Sequence, residues 1–265
     1  MAALNSADGA AARRGTVIVY HAVGPCPRSV DRENLFVSAD SFARQMAYLS
    51  RRRAVIPLEA LVRGELPADR PAVAITFDDA FRSVLTTAGP ILRRHGFPST
   101  VFVPTGWLGR RGPWYEAPGC EVEVMDESEL REAEELGIEI ASHGHDHVDL
   151  EQATTSEAEA DIAASVLALT ALSGRPPRYL AYPWGRSSEA ARKAAAAAGF
   201  HAAFSIDVPH NGLYAFARVG ITRLDGALVF ALKTSGRYQA VRGAPLVSGA
   251  YSLLRPLVRR LRRAR

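Results

Sequence analysis

Residues 72–77 read AVAITF, a run of strand length in which only Thr76 is polar, and Asp78 and Asp79 follow at once. A strand without polar alternation is one covered on both faces, which is the condition of a strand in a parallel sheet flanked by helices. The same kind of short apolar run recurs along the chain. Residues 16–20 (TVIVY), 54–56, 100–103, 138–142, 179–182, 202–205 and 216–221 read as strands. Segments 39–51, 58–62, 127–136, 156–172 and 188–198 read as helices, with another following Asp78 and Asp79, running to about Arg94 and stopping at Gly96 and Pro98. Ser156 and Glu159 have the spacing of a capping box, and Gly174 supplies the stop at the far end of that helix. Strand and helix alternating about seven times predicts a parallel α/β architecture.

Polar residues decide between an open sheet and a barrel. His21, Asp78–Asp79, the stretch from His143 to His147 and Pro183–Gly185 each stand just past the end of a different predicted strand. In a barrel those ends converge on one mouth, whereas an open sheet spreads them along an edge. The expectation is a single barrel domain over 16–235, with a flexible stretch at 1–15 and a basic tail at 236–265.

Composition narrows the classes further. In 265 residues, 48% hydrophobic and 23% charged, with two cysteines, there is enough apolar material for a core without a disulfide framework. Cys26 and Cys120 are expected to be ordinary thiols. Six arginines and no acid fall in residues 255–265, so the formal charge of +4 becomes −2 for the rest. That body offers no nucleic-acid surface. The end itself, YSLLRPLVRRLRRAR, spaces its leucines near helical period against arginine, a pattern suited to peripheral contact with an anionic membrane. The first 15 residues hold no apolar run of signal-peptide length, and no segment reaches the ~18 apolar residues of a membrane span. The expected location is the cytoplasm, at the inner face of the membrane if the tail binds there.

Three of the chain's seven histidines lie within Ser142-His143-Gly144-His145-Asp146-His147. His143 and His147, four apart, have the spacing of two ligands from one segment, and carboxylate completes such a set. One acid of the Asp78–Asp79 pair then serves as a ligand, and the other is left as a base. The energetic reason for a metal is plain. Water has a pKa of 15.7, and zinc lowers it to about 7, worth on the order of 12 kcal/mol.

Thr76-Phe77-Asp78-Asp79, His143-x-x-x-His147 and Ala181-Tyr182-Pro183-Trp184-Gly185, in this order, resemble the polysaccharide deacetylase family (carbohydrate esterase family 4, the NodB-homology domain). The resemblance runs from about Val17 to Ile221. It implies a distorted (β/α)7 TIM-like barrel and a metal-dependent hydrolase removing N-acetyl groups from an acetamido sugar in a polysaccharide or glycolipid. Asp78 resembles the family's general base, and Asp79, His143 and His147 its ligands for a divalent metal, Zn2+ with Co2+ or Ni2+ as alternatives. Tyr182, Pro183, Trp184 and Gly185 resemble the groove wall, with the Trp184 N–H facing an oxyanion. Trp107 and Trp114, in the long loop 104–125, are spaced to stack on sugar rings.

Two departures stand out. Gly144 replaces the Ser or Thr that steadies the histidine loop in the family, and Ala181 stands where an Arg partner of the base is usual. Arg218 is the expected replacement. Tyr20-His21-Ala22-Val23 resembles the N-terminal segment of permuted relatives whose histidine protonates the leaving amine, so His21 is the expected acid and His210 the fallback. The rival readings are a related metal amidohydrolase acting on a non-sugar amide or other non-polymeric substrate, a deformylase of a lipid-linked amino sugar, and an inactive carbohydrate-binding relative.

Overall fold

The computed structural model describes residues 15–115, 118–206 and 212–238. The expected flexible N-terminus, nearly all of the basic tail and His210 lie outside the described residues. Seven parallel strands close into a barrel: β1 (Gly15–Tyr20), β5 (Ala72–Phe77), β6 (Ser99–Val103), β7 (Ile138–Ser142), β8 (Tyr179–Ala181), β9 (Ala202–Ile206) and β10 (Phe216–Gly220). Closure comes from β1, which pairs with β10 on one side and β5 on the other. A two-residue strand, β4 (Ala54–Val55), shares one edge of β5 with β6, pairing at its start while β6 pairs at its end. Residues Ala22–Val23 (β2) and Phe36–Val37 (β3) form a small parallel pair at the mouth. The ring is thinnest between β7 and β8, where the register is the single pair Ser142 and Leu180.

Side chains alternate in and out along each strand. Val17, Ala74, Phe102, Ala141, Tyr179, Ala202 and Phe204 fill the barrel, joined at one end by Leu58 and Leu61 of α2 (Leu58–Val62). Ile18, Tyr20, Ile75 and Phe77 face outward against Phe42, Met46 and Leu49 of α1 (Ala39–Arg52). The period of two that sends Ala74 inward also sends Thr76 and Asp78 inward, because Asp78 N–H still bonds to Tyr20 O at 2.9 Å. Helices α3 (Gly89–His95), α4 (Glu127–Glu135), α5 (Thr155–Ser173), α6 (Glu189–Ala197) and α7 (Ala227–Lys233) complete the outer layer.

Three expectations need correction. No helix follows the two acids directly: Asp79 and Ala80 adopt positive φ, and a wide π-turn at Val84–Ala88 precedes α3. Pro90, lacking an N–H and carrying a ring that crowds the preceding turn, suits that wider winding. The capping box of α5 is Thr154 with Glu157, not Ser156 with Glu159, so the helix begins one residue earlier than read. Cys26 and Cys120 are not free thiols. They form a disulfide that ties loop 104–125 to the segment after β2 across 94 residues of sequence. Their sequence spacing carried no sign of this, because the fold itself brings the two loops together.

Candidate active site

The expected residues converge at the mouth. Asp78 and Asp79 leave the end of β5 and are both buried, as are His143, His147 and Arg218. Arg218 rises from β10 inside the barrel and grips Asp78 with both ends of its guanidinium, Nη1 to Oδ1 at 2.7 Å and Nη2 to Oδ2 at 2.8 Å. Its Nη1 also reaches Thr76 Oγ1 at 3.3 Å, and the guanidinium lies 5.1 Å above the Phe102 ring. Burial by itself raises the pKa of Asp78, but the charge of Arg218, with His143 and His21 contributing, holds it below the usual carboxylate value. Asp78 is therefore ionised at neutral pH, and Arg218 fills the place that Ala181 cannot.

His143 follows β7 and turns its Nδ1 to Ala181 O at 2.8 Å. A carbonyl only accepts, so Nδ1 carries the proton and the Nε2 lone pair faces the mouth. Burial, outweighing the nearby carboxylates, pulls its pKa down to about 4 and keeps the ring neutral. His143 Nε2 stands 3.6 Å from Asp79 Oδ1, and His147 Nε2 stands 3.1 Å from the same oxygen. That oxygen is buried and makes no well-formed hydrogen bond. Asp79, His143 and His147 each offer one ligand atom, all within 4.8 Å of one another. Burial opposes ionisation of Asp79, yet His147 beside it, then His21 and His143, hold it well below the ordinary range. A carboxylate and two imidazoles gathered around one point form a donor set that fits a divalent cation.

Backbone strain is concentrated here. Asp79, Ala80, His147 and Trp184 are four of the five non-glycine residues at positive φ among the described residues. His145 turns away and meets Thr105 Oγ1 through its Nδ1 at 2.9 Å. His21 has its Nδ1 buried without a partner.

The groove-wall segment divides. Tyr182 is fully buried, with its hydroxyl donating to Tyr214 O at 2.9 Å, so it anchors the turn and offers no surface to a ligand. Pro183 and Gly185 are also buried, and a Cβ on Gly185 would lie 2.6 Å from Ile206 Cβ at φ +68°. Trp184 is 51% exposed and stands 5.4 Å from the His147 ring. Trp114 stacks on His147 at 4.2 Å and meets Trp107 edge-on at 5.7 Å. Those two tryptophans, expected to stack on sugar rings, are half-buried and use their faces on protein. Trp184 is the large exposed aromatic among the described residues.

Two structural supports were not read from the sequence. Asp31 is buried and takes hydrogen bonds from Tyr115 Oη at 2.6 Å and Arg223 Nη1 at 2.8 Å, bracing the loop that carries Trp114. Asp161 of α5 bonds to the histidine loop. Asp161 shares a helix face with Ala158, Ile162, Ser165 and Leu169, and an acid on that face was the available signal.

A closed ring of seven parallel strands with an Asp-His-His cluster at its C-terminal mouth defines a (β/α)7 barrel with a candidate metal centre. The profile of the family described as polysaccharide deacetylase matches residues 65–203. The chain belongs to the polysaccharide deacetylase family. The poly-beta-1,6-N-acetyl-D-glucosamine N-deacetylase of Staphylococcus aureus (strain MRSA252) is 26% identical over 212 residues, covering 73% of this chain and 70% of that protein. The deacetylase PplD of Streptococcus pyogenes, solved with acetate, superposes with a TM-score of 0.70 at 24% identity, over 83% of this chain and 97% of that one. IcaB from Ammonifex degensii superposes with a TM-score of 0.69 at 22% identity, over 84% and 97%. These two likenesses concern the fold.

Proposed function

We propose that this chain is a metal-dependent N-deacetylase acting on an N-acetylated hexosamine glycan. The observation that carries the reading is the convergence of Asp79 Oδ1 with the Nε2 atoms of His143 and His147, next to the ionised Asp78. Asp79, His143 and His147 would hold the divalent cation, Zn2+ or alternatively Co2+ or Ni2+, which when bound supplies Lewis acidity to the acetamide carbonyl and to water. Asp78 takes a proton from the attacking water, and Arg218 keeps that carboxylate oriented and charged until it does. His21 gives a proton to the departing amine nitrogen. The Trp184 N–H, on a turn locked by the burial of Tyr182 and Pro183, donates to the oxyanion that forms at the carbonyl. The exposed Trp184 ring provides a platform for a sugar face at the rim.

The glycan class rests on the family and on the substrate named for the Staphylococcus aureus relative. The test is acetate release from β-1,6- and β-1,4-linked N-acetylglucosamine oligomers by protein stripped with a chelator and then reloaded with metal. Acetate release that disappears on stripping and returns on reloading supports the reading. Formate release from a lipid-linked amino sugar, or sugar binding without hydrolysis, would overturn it in favour of a deformylase or a binding relative.

Two further readings concern where the enzyme works. Leu224, Leu228, Val229 and Leu232 are exposed on and beside α7, ahead of the arginine-rich end of the chain. Apolar and basic residues in that combination support peripheral contact with an anionic membrane. The Cys26–Cys120 bond supports an oxidising compartment, in place of the cytoplasm expected from the lack of a recognisable targeting run. Co-sedimentation with phosphatidylserine vesicles that is lost on deleting residues 251–265 checks the first. Thiol labelling of protein captured from cells by acid quench checks the second.

A further inference from the structure

We propose that Asp161 is the positioning residue of the histidine loop, a carboxylate on α5 that sets the backbone between His143 and His147 so that their Nε2 atoms converge on Asp79. The inference rests on reading Asp79, His143 and His147 as a metal centre. Asp161 is itself buried, and each of its oxygens accepts one backbone N–H from the residues between the two histidines. Oδ2 accepts from His145 N at 3.1 Å, and Oδ1 from Asp146 N at 2.7 Å.

The loop is shaped for this carboxylate. A Cβ on Gly144 would lie 2.4 Å from Asp161 Oδ2, and Gly144 adopts φ +76°, so only glycine allows so close an approach. A side chain at position 144 would press on the Asp161 carboxylate, which stands 17 positions further along the chain. The opposite edge of the loop is held as well. Thr105 N–H donates to Gly144 O at 3.1 Å and Gly106 N–H to His145 O at 2.9 Å. The N–H groups of His145 and Asp146 thus go to α5, that of Gly144 goes to Ser142 Oγ, and the C=O groups of Gly144 and His145 go to the Thr105–Trp107 turn. His147 follows at φ 58°, a conformation that persists only where its surroundings impose it. Asp146 N–H, bonded to Asp161, is the last fixed donor before it.

Partners of this kind, which do not touch a metal but orient its ligands, typically change affinity by 10–100-fold when removed. The experiment uses the full chain stripped of metal and titrated with Co2+, with affinity measured by competition against a chromophoric chelator and the visible cobalt bands recorded. Asp161→Asn keeps the shape of the side chain and Asp161→Ala removes it. Melting of the metal-free proteins fixes an assay temperature at which each is folded. The expected result is one equivalent bound by wild type, an affinity lower by 10–100-fold in both variants, and cobalt bands shifted in position or intensity. Wild-type affinity and bands in both variants would overturn the inference while leaving the metal centre intact. Failure of the wild type itself to bind Co2+ would overturn the metal centre and this inference with it.

Discussion

Arg218 and Asp78 are 140 residues apart in sequence and meet as a fully buried, bidentate ion pair, with bonds of 2.7 and 2.8 Å. Removing one partner of such a pair leaves a charge in the barrel without compensation, which typically costs about 3–5 kcal/mol. Arg218→Ala is expected to lower the melting temperature by that measure and to reduce acetate release as well. Arg218→Lys keeps the charge but loses the fork, so it is expected to restore part of the stability and little of the rate. Calorimetry and initial rates on both variants check this.

The same pair gives a pH signature. The carboxyl of Asp78 is depressed in the folded state, so its contribution is complete above the unfolded value of about 4 and is lost as pH falls through the folded value. Asp78→Asn is expected to melt well below wild type at pH 7. The gap should narrow as pH falls from about 4 through the depressed folded value, below which wild type also carries a neutral side chain. Parallel melts at pH 3, 4, 5 and 7 measure it, and a constant gap would contradict the coupling.

Asp78 and Asp79 are adjacent but have different tasks. Asp79→Ala is expected to lose metal and activity together. Asp78→Asn is expected to retain a stoichiometric metal while its rate falls by about 10²–10⁴-fold, the usual contribution of a general base. Metal content after gel filtration, set beside kcat, separates the two. Normal metal content in Asp79→Ala would show that the ligand assignment is wrong.

Trp184 presents the exposed ring at the rim, while its N–H belongs to the turn. Trp184→Ala should therefore raise KM several-fold for an oligomer and affect a monomeric acetamido sugar much less, with kcat changed little in either case. Steady-state kinetics on the two substrates provides the comparison.

The Cys26–Cys120 bond closes a loop of 94 residues, and chain-entropy reasoning assigns such a closure about 4–5 kcal/mol. The double substitution Cys26→Ser with Cys120→Ser is expected to lower the melting temperature. Reductant should lower it in wild type and leave the double variant unmoved.

Read from the sequence, Ala72–Phe77 revealed a strand covered on both faces, and the acids after it together with the histidine spacing revealed a chemical centre, because periodicity and local spacing are written along the chain. The position of Arg218 was suggested only by the absence of another partner. Its contact with Asp78 required β1 to close the ring between β5 and β10, a pairing that no local pattern encodes. The backbone at Asp79, the inward burial of Tyr182 and the disulfide were likewise set by what the folded neighbours leave room for. Gly144 and Asp161 show the division most plainly. Each residue was visible, but their mutual dependence arises from a helix and a loop meeting within 2.4 Å of a Cβ position, a distance that exists only once the barrel has closed. Short-range physics decided the elements and the types of residue at the mouth, and long-range packing decided which of them touch.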